Sequence, residues 1–284
     1  QLSLLPALGA TGKAPFKRNQ FGGLVSGPLV KGKTYFMGNY EAMRDRLTET
    51  DVSFAPDAEA RQGIITDANG VELRRVPVDP QVAPYLALYT PPNGTRRGNG
   101  IAETIGAGFQ PVNENFFVVR LDHQITQRDS GFLRYSFDDA TSVTRGSLYA
   151  FRSLTKTRQQ YLTLVESHIF SPSTVNSVRL GYTRPVSTSH DDSVDITIPP
   201  ERNFVPNALQ FGLIQVSGLT DFGPNSSQPS RAFTNTFQFD NDLVLQRGGH
   251  ALKLGGEIHR YRWDAFSSDA KWAIWSFDSL ESFI

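Results

Sequence analysis

The chain has no cysteine, which excludes disulfides, thiolate metal centres and cysteine nucleophiles together. It has no surplus of either charge, because 28 basic residues balance 28 acidic ones. No overall field therefore favours nucleic acid or an acidic substrate. The basic pairs Lys17-Arg18, Arg74-Arg75 and Arg96-Arg97 stand apart and read as solvated loop charges. Nothing approaches the run of ~18 apolar residues that marks a transmembrane helix. The longest bulky apolar run is Phe116-Phe117-Val118-Val119. A mean hydropathy of −0.32 would suit a soluble protein. A membrane barrel strand averages just as mildly, because lipid-facing and lumen-facing residues alternate along it.

Motifs of catalysis are missing as well. His123, His168, His190, His250 and His259 show no H-E-x-x-H or other tight ligand spacing. Glu257 and His259 share one strand face and offer two metal ligands, but lining a lumen is the simpler reading. Asp191, Asp192 and Asp195 lack the glycine and terminal glutamate of an EF-hand loop and read as a solvated acidic loop. Gly98, Gly100, Gly106 and Gly108 do not form G-x-G-x-x-G, and no G-x-S-x-G elbow occurs. The chain reads as non-enzymatic, with no catalytic residue, metal site or cofactor expected.

What is present is a rhythm of alternating stretches joined in pairs by tight turns. The turns fall at Val30-Lys31-Gly32-Lys33, Thr126-Gln127-Arg128-Asp129, Ser171-Pro172-Ser173-Thr174 and Arg247-Gly248-Gly249. Long polar segments, at about 46–114, 139–158 and 185–231, separate the pairs. Short and long connections in strict alternation put all turns at one end of the strands and all long loops at the other. Outer-membrane barrels sort their connections this way, with short periplasmic turns and long extracellular loops. The expected fold is all-β: an antiparallel transmembrane β-barrel fragment, a curved open meander sheet belonging to a larger plugged barrel.

Residues 1–19 read as a loop and a poorly matched boundary segment, and 20–284 as the partial barrel. Strands of ~10 residues are expected, the length a tilted strand needs to cross a bilayer. In the clearest hairpin Phe117, Val119, Leu121 and His123 alternate with Phe116, Val118, Arg120, Asp122 and Gln124. Leu133, Tyr135 and Phe137 then alternate with Arg134, Ser136 and Asp138. Val178, Leu180 and Tyr182 repeat the theme, as do Phe237, Phe239, Leu243 and Leu245, and then Leu252, Leu254 and Ile258. The register of Tyr161–Phe170 stays open. A short helix is expected near Ala83–Tyr89, with Pro84 in its first turn. A last aromatic strand is expected over Lys271–Phe277, carrying Trp272 and Trp275.

Several stretches carry a resemblance. Asn19-Gln20-Phe21-Gly22-Gly23, Ser26-Gly27-Pro28 and Lys33-Thr34-Tyr35-Phe36-Met37-Gly38-Asn39-Tyr40-Glu41 resemble the early barrel of TonB-dependent outer-membrane receptors. The pattern is similar to that of Oar-like receptors common in Acidobacteria, N-Q-F-G-G-x-x-G-G-P followed by K-x-F-F-F-x-N-Y-E, with mild departures at Ser26, Tyr35 and Met37. Val118–His123, Arg134–Asp139, Phe170-Ser171-Pro172 and Arg247–Glu257 resemble the same group. The resemblance implies a barrel of ~22 strands closed by an N-terminal plug. It also implies residence in the outer membrane of a Gram-negative type bacterium and uptake of a solute into the periplasm. The implied partners are outer-membrane lipid, the plug and remaining strands, TonB through a preceding region, and a solute the sequence does not identify. A passive porin or an adhesion-type barrel is the alternative. Both ends look cut, and an isolated open sheet is expected to aggregate through its unpaired edges.

A charge facing lipid near the midplane costs about 2–4 kcal/mol, so the strand charges are expected to face the lumen. These are Arg120, Asp122, Arg134, Asp138, Arg179, Lys253 and Glu257. Cross-strand pairing within the wall is the expected role, with contact to plug or solute the second.

Overall fold

The computed structural model describes residues 15–146, 148, 150–194 and 196–284. Eight long strands follow from the alternation: β1 (Phe16–Val30), β2 (Thr34–Pro56), β6 (Ile101–Gln124), β7 (Asp129–Arg145), β8 (Phe151–Ser171), β9 (Thr174–Ser193), β11 (Ser230–Arg247) and β12 (His250–Ser267). They form one meander in the order β1-β2-β6-β7-β8-β9-β11-β12, antiparallel throughout. No helix among the described residues is long and apolar enough to cross a membrane.

Four tight connections, 31–33, 125–128, 172–173 and 248–249, lie at one end of this sheet. Gly32 and Gly248 take positive φ, 72° and 59°, as turns this short require. The other end carries 57–100, 146–150 and 194–229. The sorting of connections is as the sequence indicates, but the long segments are shorter than expected because the strands continue into them. β2 has 23 residues and β6 has 24, against the ~10 expected. At ~3.4 Å per residue these strands reach well past a bilayer. Beyond the membrane both faces meet water, so the period of two fades while the hydrogen-bond ladder continues. The segment 139–158 is likewise mostly strand, since β7 runs to Arg145 and β8 starts at Phe151. At the other end of the chain, β1 begins at Phe16, which pairs with Leu47, so strand replaces loop over 16–19; residues 1–14 lie outside the described residues.

The connections at the far end fold on one another. They contain β3 (Ile64–Thr66), β4 (Glu72–Arg75), the one-turn helix α1 (Ala83–Leu86), β5 (Arg96–Gly98) and β10 (Leu213–Val216), and the segment after β12 adds β13 (Ile274–Phe277) and the short helix α2 (Leu280–Phe283). α1 sits where the sequence places it, with proline in its first turn. Lys271–Phe277 is not a wall strand. β13 pairs in parallel with β10, and the Trp275 ring stacks on Phe204 at 4.1 Å. Trp272 is buried, so the aromatics expected on a last wall strand serve packing within the loops.

Side chains of Ala55, Ile65, Leu86, Tyr89, Leu148, Phe151, Phe211, Ile214, Phe222, Leu280 and Phe283 make a buried core in this loop unit. Three guanidinium-centred clusters hold its backbone. Arg61 donates to the carbonyls of Pro56, Leu86, Tyr89 and Thr90 at 3.0–3.2 Å. Asp57, almost fully buried, accepts from the Ala60 amide, the Thr66 hydroxyl and Arg96. Arg74 bonds Glu281, tying α2 back to β4.

Candidate functional site

Strand register assigns faces, because directly opposed residues project to the same side. Arg120 opposes Arg134, Asp138 opposes Gln159, Arg179 opposes both Val165 and Asp240, and Asp240 opposes Glu257. Followed across the sheet, the register puts Arg120, Asp122, Arg134, Asp138, Arg179, Lys253 and Glu257 on one face. Phe117, Val119, Leu121, Leu133, Tyr135, Leu162, Leu164, Leu180, Phe237, Phe239, Leu254 and Ile258 share the other. Register also settles Tyr161–Phe170: Leu162 opposes Tyr135 and Tyr182, joining the apolar face, whereas Tyr161 and Val165 join the polar one. Sequence left this open because apolar residues occupy both parities there.

On the polar face Arg120 clamps Asp122 bidentately at 2.7 and 2.8 Å, with its guanidinium 3.9 Å from the Phe132 ring. This pair runs along one strand rather than across two. Lys253 does reach across, to Asp242 at 3.3 Å. Arg134, directly opposite Arg120, and Arg179 make no ion pair among the described residues. One carboxylate oxygen of Asp138 is buried without a hydrogen-bond partner. Arg120, Asp122 and Arg134 line a shallow depression with Met37, Phe116 and Tyr161. Cross-strand ion pairs such as Arg158–Asp139, Arg231–Asp264 and Lys253–Asp242 add to the backbone ladder of the wall, while Arg134 and Arg179 have no ion pair among the described residues. Asp240, Glu257 and His259 bring three ligand-type atoms within 4.8 Å of one another, the donor set of an open cation site.

The sequence did not reveal a second concave site, at the loop end. A cavity of about 340 Å³ is lined by Phe151, Asp191, Asp192, Ile198, Gln210 and Phe211, among others. Asp191 Oδ2 accepts from the Asn225 amide at 2.6 Å, while Oδ1 is buried with no partner. Gln210 Nε2 donates to the Asp191 carbonyl at 3.1 Å, while its Oε1 is likewise unpartnered. Both oxygens are buried beside the cavity rather than open to it. Asp192 is shared between Arg152 at 3.4 Å and His190 at 3.7 Å. Asp195, grouped with these aspartates by sequence, lies outside the described residues. The aromatics Tyr85, Phe204, Phe211 and Trp275 form a continuous cluster at this end, with Arg202 5.9 Å from the Tyr85 ring. The sequence reading placed Tyr85 in a short helix and Trp275 in a last strand, and nothing in it joined them to Phe204 and Phe211.

Titration in the loop unit follows its contacts. The Arg96 hydrogen bond holds Glu59 below the ordinary carboxyl range. Burial pushes Glu103 up, but bonds from Arg97 and the Thr95 amide outweigh it and leave it lowered. Burial lowers Arg61 and raises Tyr89.

The description "outer membrane beta barrel domain" belongs to a family model that matches residues 5–282. No curated protein matches the chain. Among solved structures, the outer membrane transporter YddB from Escherichia coli is similar over 88% of this chain and 26% of its own, at 7% identity and a TM-score of 0.49. The siderophore receptor PiuA from Acinetobacter baumannii is similar over 88% of this chain and 44% of its own, at 9% identity and a TM-score of 0.26. The chain therefore spans less than half the length of either.

Proposed function

Because the chain belongs to the outer membrane β-barrel domain family and resides in the outer membrane, we propose that it supplies wall strands and outward loops to a TonB-dependent transporter of the Oar-like type. The apolar face meets lipid and the polar face lines the lumen. Arg120, Asp122, Arg134, Asp138, Arg179, Lys253 and Glu257 then stand where a plug or a passing solute contacts them. Arg134 and Arg179 are the best placed for such contacts, having no ion-pair partner in the wall. The motifs around Asn19–Glu41 and Arg247–Glu257 support the family subtype.

One observation carries the reading of capture. The strands extend beyond the membrane and hold a packed loop unit with a cavity lined by Phe151, Asp191, Asp192 and Phe211, among others. A loop end that served only to close a passive pore would need no such core.

The test is site-specific cross-linking of the full-length protein, in its own outer membrane, to the periplasmic domain of TonB. A cross-linked complex is expected. Its absence, with barrel assembly verified by heat-modifiable migration, would transfer the protein to the passive porin or adhesion class.

A further inference from the structure

The apolar face of the wall does not stay apolar up to the loop unit. Register places Leu133, Leu164 and Leu180 in one row across β7, β8 and β9, and Tyr135, Leu162 and Tyr182 in the next. Above them come Phe137, Gln160 and Arg184, then Asp139, Arg158 and Val186, then Thr141, Lys156 and Thr188. Successive rows lie ~6.8 Å apart along the strand, or ~5 Å along the membrane normal at barrel tilt. The face therefore passes from aliphatic to aromatic to basic over about 20 Å along the membrane normal.

The basic rows are also concave. A groove of about 550 Å³ is lined by Asp139, Thr141, Lys156, Arg158, Gln160, Arg184 and Thr188, among others. Its charge is unbalanced. Arg158 is matched by Asp139 at 2.7 Å, but Lys156 and Arg184 have no carboxylate partner among the described residues. Arg184 lies 5.2 Å from the Phe233 ring and Arg158 5.3 Å from Phe137, so both guanidiniums are propped on aromatic faces at the level of the girdle. Gln160 donates to the Tyr135 hydroxyl at 2.9 Å, which fixes the groove floor.

We infer that this groove binds a phosphate-bearing headgroup of an outer-leaflet lipid, with Lys156 and Arg184 taking the phosphate and Thr141 and Thr188 offering hydroxyls. The occupant follows from position and charge together. Acyl chains below meet Leu162, Leu164 and Leu180, and the headgroup above meets two uncompensated cations. A free anion would find the cations but gain nothing from the apolar rows.

The test is native mass spectrometry and vesicle competition on the full-length barrel in detergent, with bisphosphorylated lipid A as the probe. Retention of the lipid is expected, with about thirtyfold weaker binding in the double variant Lys156→Gln/Arg184→Gln. Lys31→Gln, in a turn at the opposite end of the wall, should bind as the parent does. Heat-modifiable migration must match in all three proteins, and Lys156→Gln alone serves if the double variant fails to assemble. Three results would overturn the inference: equal binding by the groove variants, equal loss in Lys31→Gln, or displacement of the lipid by inorganic phosphate at matched concentration.

Discussion

Leu121 and Phe222 are both large and apolar, yet Leu121 is 39% exposed on the wall and Phe222 is fully buried in the loop unit. The wall leaves a whole row of such residues uncovered, including Leu164, Leu180, Phe239 and Ile258. The loop unit buries its own as a soluble domain does, with Tyr89, Phe151 and Phe211 packed around Phe222. The same chemistry in two arrangements shows two solvents. Lipid covers the wall, and water surrounds the loop end.

The sharpest way to break this contrast is to remove the centre of the loop core. Phe222→Ala should cost the loop unit about 3–5 kcal/mol, in the range of buried aromatic truncations. Limited proteolysis should then cut within 57–100 and 194–229, while far-ultraviolet dichroism and heat-modifiable migration report an unchanged sheet. Simultaneous loss of sheet and loops would show a single cooperative structure and remove the division. In the wall the corresponding lesion is Leu121→Arg. It should cost about 2–4 kcal/mol of membrane assembly, read as lower outer-membrane recovery. Val118→Arg, three residues away but on the polar face, should assemble nearly as well as the parent. Equal defects at both positions would mean that the two faces are not lipid and lumen.

A smaller effect is expected from polar support inside the loop unit. Arg61→Met leaves four carbonyls without their shared donor, a loss of about 1–3 kcal/mol. Faster hydrogen exchange around α1 and Tyr89, with no change in β6 through β9, is the signature. Unaltered exchange at α1 would show that water replaces the guanidinium without cost.

Sequence and structure agree where a physical constraint repeats every two residues. Phe117 to His123 and Leu133 to Phe137 had to alternate because lipid lies on one side only, so their faces and hairpin were legible. The extended parts of β2 and β6 were not, since a strand with water on both sides imposes no pattern. The segment from Lys271 to Phe277 misled for a related reason: an aromatic wall strand and an aromatic core strand use the same residues. Only the parallel pairing with β10 tells them apart, and that depends on a partner 61 residues earlier, as Leu213 pairs with Ile274. The charged residues of the polar face were found by parity, whereas the cavity at Asp191 and Gln210 was not, because it arises from loop geometry that no local motif announces.

Acid should separate the two regions gently. The Arg96 hydrogen bond depresses Glu59 below 4.5, and Arg97 with the Thr95 amide outweighs the burial that would raise Glu103. Arg74 contributes to the same lowering at Glu281. A carboxylate with a depressed folded value favours the folded state fully above 4.5, where both states are ionised and the pair is formed. As pH falls between 4.5 and the lower folded values, the unfolded form binds protons first, so stability declines. It is lost once pH passes through the folded values. These pairs are partly solvated, so each contributes about 1 kcal/mol or less. Backbone ladders do not titrate, and the strands should keep their protection over the same interval. Hydrogen exchange corrected for intrinsic rate should therefore show loop amides near Glu59 and Glu103 opening on acidification while β7 and β8 hold. Glu59→Gln should flatten part of that response. Parallel opening of loops and wall, or no effect of Glu59→Gln, would place the acid-sensitive contacts elsewhere.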